Sequence, residues 1–310
     1  MDDDWLAGLF EQHRPHLRAV AYRMLGSLTE ADDAVQDAWL RLSQAGAEDV
    51  ENLGGWLTTI VARVCLNMLR SRKYRREQPL AVHLPDPVVS LEGEAQPEEQ
   101  ALLADSVGLA LLVVLDTLTP DERLAFVLHD TFEVPFSEIA AVVGRSPAAA
   151  KQLASRARRR VKAAGLPNPD SDPARRREVV DAFFAAARRG DFDALVAVLH
   201  PGVVARSDLG SRRVAASAVI RGADAVARQA FRGAALPAGL LYPVLVNGAP
   251  GVVVTVRGRP FSLMSFTVTD GRIAEISAIV DPERVSRIAA PVLAAGISPM
   301  NIDARLAVHR

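Results

Sequence analysis

The sequence predicts a multidomain chain in which two all-α units precede one α+β unit. Three observations predict it. Apolar residues recur at three- and four-residue spacing through 1–78 and again through 106–164, with few prolines. Two stretches dense in turn residues divide the chain. One is 79–105, with five prolines or glycines and the acidic group Glu92, Glu94, Glu98 and Glu99; the other is 165–173, GLPNPDSDP. Beyond 174 the period changes. One or two helices (174–199) precede four strand-like segments, Leu240–Val246, Val252–Arg257, Phe261–Val268 and Arg272–Ile279. Their separators, Asn247-Gly248, Gly258 and Asp270-Gly271, are turn residues. The α+β unit is expected to end near 285, with 286–310 a helix and a frayed end.

Charge placement narrows the function. The 310-residue chain has a formal net charge of −1, so it is not a polycation as a whole. Yet residues 1–51 hold eleven acidic and four basic side chains, while 63–76 hold six basic and no acidic ones. Residues 144–163 hold seven basic and no acidic ones. An acidic face followed by basic blocks points to a protein partner in one place and nucleic acid in another. The single cysteine, Cys65, excludes an intrachain disulfide and a cysteine zinc site, and fits a reducing cytoplasm. The start, MDDDWLAGLF, lacks the basic n-region of a signal peptide. No apolar run reaches the roughly 18 residues of a membrane span, so no membrane partner is expected.

The stretch 144–160, GRSPAAAKQLASRARRR, is built as a helix after a glycine turn. Ser146 can cap it and Pro147 suits its first position. Ala150, Leu153, Ala154, Ala157 and Val161 form one apolar stripe, while Lys151, Gln152, Ser155, Arg156 and Arg159 lie off it. A shorter helix, Ser137–Val143, ends at Gly144. Helix, glycine turn and a second helix with a small-residue packing face make a helix-turn-helix. Groove contacts are expected from Arg145 to Arg156, and phosphate contacts from Arg158–Arg160. The plainer alternative is a basic amphipathic helix docked on its own domain. Thr119-Pro120-Asp121-Glu122 is a capping box that opens a supporting helix to about His129.

In the first unit, Thr29 can cap EADDAVQDAWLRL (30–42), whose polar residues Asp32, Asp33, Gln36 and Asp37 alternate with Val35, Trp39, Leu40 and Leu42. Alone, this reads as a solvated acidic face. The segment 52–77 that follows starts glycine-rich and carries Trp56. It then places Arg63, Asn67 and Arg70 at helical spacing and ends in a basic cluster that includes Arg72. An aromatic beside basic groups suits single-stranded or melted nucleic acid, through stacking and phosphate neutralisation.

Here the chain resembles a known family. Residues 10–77 resemble region 2 of bacterial sigma factors, in EADDAVQDAWLRL and GWLTTIVARVCLNMLRSR. Residues 106–164 resemble region 4, in IAAVVGRSPAAAKQLASRARRR. The layout without a region 3 is similar to the extracytoplasmic-function (ECF) sigma factors. The resemblance implies that Asp32, Asp33, Gln36, Asp37 and Leu40 dock the RNA polymerase core. It implies that Trp56, Arg63, Asn67, Arg70 and Arg72 read and melt the −10 element, with a flipped base held at the loop before Trp56. Arg145, Ser146, Lys151, Gln152, Ser155, Arg156 and Arg159 would read the −35 element. Ala149 and Ala150 stand where the family commonly has a hydroxyl and a valine.

The connector RREQPLAVHLPDP (75–87) is similar to that of the SigJ-like ECF subgroup, with Leu84, Pro85, Asp86 and Pro87 matching and His83 in place of a tryptophan. That subgroup carries a C-terminal SnoaL-like (NTF2-type) domain. Residues 174–285 resemble it, through RRGDFDALVAVLHPGVVARSD (188–208) and VDPERV (280–285). The resemblance implies a curved sheet and helices around a pocket, with room for an unknown small ligand. It also implies a fused regulator that works without a separate anti-sigma protein. Leu84, Pro85, Asp86, Pro87, Asp208, Asp281, Pro282 and Arg284 are the expected interdomain residues. Asp208 and His200 are the available acid–base candidates if the domain were an enzyme. Val254, Phe261, Leu263 and Phe266 are expected to face inward, which favours an apolar interior over a catalytic one. No catalysis, cofactor or metal is expected. The rival readings are a DNA-binding regulator or ligand sensor that never joins polymerase, and a SnoaL-type enzyme fused to a DNA-binding module.

Overall fold

Three helices build the N-terminal unit of the computed structural model, which describes residues 3–45, 52–75, 84–92, 108–210, 218–234 and 239–300. They are α1 (Asp3–Leu25), α2 (Leu28–Ala45) and α3 (Leu53–Arg75). Their apolar stripes meet around Phe10, Leu17, Tyr22, Met24, Leu42, Leu57 and Leu66, all fully buried. The α1–α2 corner turns at Gly26, with φ +70°, and a Cβ there would sit 3.1 Å from Pro85 Cβ. Only glycine meets both demands at no cost. The cap of α2 is Ser27, whose Oγ accepts the Glu30 N–H at 3.4 Å, rather than the expected Thr29, which lies one residue inside the helix.

The second unit holds α4 (Leu109–Leu115), α5 (Pro120–Phe126), α6 (Phe136–Val143) and α7 (Pro147–Ala163). A π-helical turn, Val127–Thr131, extends α5. The Thr119–Glu122 capping box forms in both directions, and Ser146 Oγ caps α7 through the Ala149 N–H at 3.2 Å. Gly144 takes the left-handed turn between α6 and α7, at φ +69°. The stripe Ala150, Leu153, Ala154 and Ala157 is buried against α5 and α6, which fixes the helix-turn-helix angle.

The two helical units share one apolar core, where the sequence suggested two. The cause lies in α3. Its Leu57, Val61, Ala62, Cys65, Leu66 and Leu69 are buried on more than one side, so it packs on α1 and α2 and also on α5 and α6. Arg123, 2 % exposed, crosses this seam and donates to Arg23 O at 3.1 Å while pairing with Asp116. Arg23 in turn lies over the Phe132 ring, 4.7 Å from its centre.

The third unit is α+β. Helices α8 (Pro173–Arg189), α9 (Phe192–Val198) and α10 (Ala223–Ala234) cover one face of a seven-stranded sheet. Its strands are β1 (Val89–Ser90), β2 (Leu199–Asp208), β3 (Ala218–Arg221), β4 (Leu240–Val246), β5 (Ala249–Val256), β6 (Arg259–Thr269) and β7 (Arg272–Ile279), in the order β1-β4-β5-β6-β7-β2-β3. All neighbours are antiparallel except β2 and β7. Register shifts in β2–β7, β5–β6 and β6–β7 bend the sheet into a cone around the helices. The interior holds Phe183, Phe184 and Phe266, with ring centres 5.4–5.7 Å apart. Helix α11 (Pro282–Ala294) covers the opposite face.

The residues expected to face inward divide between the two faces. Val254 and Phe266 join the helix-side core, whereas Leu263 packs with Leu84 and Ile279 on the other side. The period of two separates 263 from 266, so the four could not share a face. The sequence also missed β1, β2 and β3. Strand β2 contains Pro201-Gly202, which reads as a turn, and β1 lies in a stretch read as linker. The second connector is docked on the cone. Asp170 accepts the Asp270 and Gly271 N–H groups at 2.8 and 2.9 Å, and its own N–H donates to Val268 O.

Candidate nucleic-acid interface and interdomain junction

On α2, Asp32, Asp33, Gln36 and Leu40 point to solvent and Asp37 is half-buried. Leu40 is 49 % exposed, an uncovered apolar side chain amid carboxylates. Two arginines already answer this acidic face: Arg18 Nε lies 2.6 Å from Asp32 and Arg41 lies 3.0 Å from Asp37.

The α3 residues do not act as one surface. Arg63 and Asn67 are exposed. Arg63 donates to Ala141 O at 3.4 Å, at the end of α6, and Arg70 pairs with Asp121 at 2.8 Å, at the start of α5. Arg72 faces elsewhere: it donates to Leu25 O at 3.1 Å and pairs with Glu30, stapling the α1–α2 corner. Two residues along a helix are a rotation of about 200°, so Arg72 cannot share the face of Arg70. Trp56 sits half-buried against the first unit's core. Gly54 and Gly55 belong to the first helical turn, capped by Asn52 Oδ1 through the Gly55 N–H at 3.0 Å, where a loop was expected.

In the turn before α7, Arg145 and the cap Ser146 are exposed, and on α7 Lys151, Gln152, Ser155, Arg156 and Arg159 all lie on the exposed side. Of the two departures from the family pattern, Ala150 is fully buried on the packing stripe, while Ala149 is only half-buried. Several cations are held by the unit's own carboxylates. Arg145 lies 3.5 Å from Asp121, and Glu122 takes Arg156 at 3.4 Å and Arg160 at 2.8 Å. Arg158 pairs with Asp130 at 2.5 Å.

The connector residues meet the cone at one buried guanidinium. Arg284, on the first turn of α11, pairs with Asp86 and donates to Leu84 O and to Asp208 Oδ2, the last at 2.8 Å. Asp208 is 3 % exposed and also accepts the Leu84 N–H at 2.9 Å. Asp281 caps α11, accepting the Arg284 N–H at 3.2 Å, and Pro282 is the first helical residue. Pro85 and Pro87 are buried beside this cluster. His83 lies outside the described residues, as do Ser211 and Arg212 of the 208–212 loop.

Three partners of the connector went unnoticed in the sequence. Tyr22, at the end of α1, donates to Asp86 O at 3.0 Å and lies 3.2 Å from Asn247 Oδ1. Burial pushes its phenol pKa far up, so it stays a donor. Asn247 also accepts the Val88 N–H at 2.7 Å and returns its own N–H to Val88 O at 2.8 Å. Asn-Gly gave the turn between β4 and β5, and Asn247 takes the left-handed backbone that turn needs, at φ +47°. Nothing in the sequence paired it with residue 88. Arg177, on α8, completes the dock by donating to Val244 O and Gly251 O while pairing with Glu92. A cleft of about 560 Å³ opens between the α1–α2 corner, the connector and α11, lined by Ser27, Glu30, Arg72, Asp86, Asp116 and Arg287 among others.

The acid–base pair is not assembled. His200 is exposed and its Nδ1 accepts the Gly202 N–H at 3.1 Å, while Asp208 is committed to Leu84, Arg284 and Gly210. Among the described residues no group of histidine, cysteine or carboxylates is arranged to hold a metal, and no helix is long and apolar enough to cross a membrane.

Comparison with known proteins agrees with this layout. Residues 9–75 match the Sigma-70 region 2 family and residues 108–161 match Sigma-70, region 4. The chain is 39 % identical over 289 residues to the ECF RNA polymerase sigma factor SigJ of Mycobacterium tuberculosis, covering 89 % of this chain and 91 % of that one. It is 34 % identical to a probable ECF RNA polymerase sigma factor SigI from the same species, covering 93 % and 97 %. The crystal structure of Mycobacterium tuberculosis SigJ superposes with a TM-score of 0.70 at 36 % identity, over 90 % of this chain and 97 % of that one. With regions 2 and 4 in order and the likeness running through the cone as well, the chain belongs to the extracytoplasmic-function RNA polymerase sigma factors, which direct polymerase to promoters.

Proposed function

We propose that this chain binds RNA polymerase core through the exposed face of α2, reads promoter DNA with α3 and α7, and is regulated by its own cone. In this reading Asp32, Asp33, Gln36, Asp37 and Leu40 dock the core. Trp56, Arg63, Asn67 and Arg70 serve the −10 element, and the solvent face of α7 serves the −35 element. The cone does no chemistry and needs no cofactor. It replaces a separate anti-sigma protein, and the whole acts in the cytoplasm. The observation that carries the regulatory part is the Arg284 cluster. One guanidinium on the cone holds the backbone and side chain of the connector between the two DNA-reading units, through Leu84 O and Asp86.

The test is transcription in vitro with purified bacterial core polymerase on a genomic promoter library. Specific starts with the full chain support the sigma assignment, and none would overturn it. Arg284→Ala and Asp86→Asn, in chains that still fold, are expected to change the yield. Unchanged yield in both would remove the cone from regulation.

A further inference from the structure

One carboxylate joins the two units that this reading assigns to the two promoter elements. Asp121, in the first turn of α5, takes Arg70 of α3 at 2.8 Å on one oxygen and Arg145 of the helix-turn-helix at 3.5 Å on the other. Its neighbour Glu122 takes Arg156 and Arg160, but both of those stay within the second unit. Asp121 therefore differs in kind, because it is shared between units. Close by, Arg63 spends a donor on Ala141 O, the exposed carboxyl end of α6. Each of these cations keeps substantial exposure, 42 % for the Arg70 side chain and 55 % for that of Arg145.

We propose that Asp121 is an internal stand-in for a DNA phosphate, a latch that holds regions 2 and 4 closed until promoter phosphates take Arg70 and Arg145 from it. The proposal rests on the reading of those arginines as promoter contacts. Its physics is competition between anions for the same guanidinium donors. A single carboxylate holding two partly exposed arginines is a weak and salt-sensitive tie, whereas DNA offers a phosphate to each. The geometry fits a closed state that a polyanion can open. Arg123 and the shared apolar core lie behind the latch and supply the restoring packing.

The experiment separates opening from transcription. Spin labels on exposed Ser43→Cys (α2) and Lys162→Cys (α7) of the full chain report the separation of the two units by pulsed electron resonance, with Cys65 buried and unlabelled. The parent chain is expected to give one short distance at low salt. Asp121→Asn is expected to add a longer population and to bind a promoter-length duplex, without polymerase, about threefold to fivefold more tightly. Arg70→Gln cuts the same bond from the other side, so it should open the chain equally but bind the duplex more weakly. Were Asp121→Asn to stay as closed as its parent, the latch would be refuted. Opening without tighter DNA binding would refute the competition. Because the distance needs no polymerase, a chain that opens as described but drives no specific starts would sink the sigma reading and not the latch.

Discussion

The junction of connector and cone differs sharply from the junction of regions 2 and 4. At the first, Arg284 is 11 % exposed and reaches three acceptors on the connector and the cone, while Asn247 and Tyr22 satisfy the connector's backbone from both sides. At the second, one buried cation, Arg123, spans an apolar seam, and the remaining polar ties, from Arg70 and Arg63, are single and partly exposed. Buried charges with complete hydrogen bonding leave no low-energy alternative arrangement, because breaking one bond strands a charge. Exposed pairs exchange with water and salt at little cost. The contrast teaches that the connector is tied to the cone by buried polar bonds, whereas the ties that salt and water can reach are the outer pairs between the two DNA-reading units.

The strongest way to break that contrast is Arg284→Ala. It leaves the buried Asp208 without its cation and Asp86 with only Arg287 at 3.5 Å, and the loss of one partner of such a cluster costs about 3–5 kcal/mol. Urea unfolding is expected to show that loss, and Arg284→Lys should recover only part, because an ammonium cannot span three acceptors in one plane. A loss under 1 kcal/mol would show that the cluster is dispensable and the contrast mistaken.

Asn247→Ala comes next. It removes the acceptor of the Val88 N–H and the partner of Tyr22 and places alanine at φ +47°. A buried donor left without an acceptor costs about 1–3 kcal/mol, and Asn247→Gly, which keeps only the backbone permissiveness, should lose nearly as much. Tyr22→Phe is smaller, about 1 kcal/mol, since it deletes one hydroxyl while Asn247 keeps the Val88 N–H. Both values are read from the same denaturant titrations. If Tyr22→Phe exceeded Asn247→Ala, the connector would be held mainly by region 2 and not by the cone.

These partners also mark what was legible in the sequence. The helix-turn-helix was legible in its turn, cap and packing stripe, because Ser146, Pro147, Gly144 and the alanine stripe are local signals, while its first helix starts one residue earlier than expected. Arg284 and Asp86 were legible as members of one cluster only through family resemblance, 198 positions apart. Tyr22, Asn247 and Arg177 were not legible, since each is defined by a backbone group brought near by tertiary folding. The strand β1 was hidden for the same reason: two residues of a proline-rich connector become a strand only because the edge of β4 is there to pair with them. The acidic and basic faces were visible as composition. How far they neutralise one another, as Arg70, Arg145 and Arg156 do on Asp121 and Glu122, was not, because charge counts carry no geometry.

The smallest expected effect sharpens the weaker junction. His16 on α1 meets the Phe132 ring edge-on, with centres 5.1 Å apart, across the seam between the units. Burial lowers its pKa below the usual 6.5, and the neighbouring His13 and Arg23 push the same way. The folded chain therefore holds this ring neutral where the unfolded chain would protonate it. The unfolded state binds more protons, so this group's contribution is complete above about pH 6.5 and is lost as pH falls through and below that value. Urea midpoints at pH 7.5 and pH 5.5 are expected to differ less for His16→Phe than for the parent, with the two proteins closest at the higher pH. The spin-label distance should lengthen on acidification in the parent and not in the variant. Equal pH dependence in both would place the sensitivity in other groups, and the seam would then owe its closure to apolar packing and Asp121 without His16.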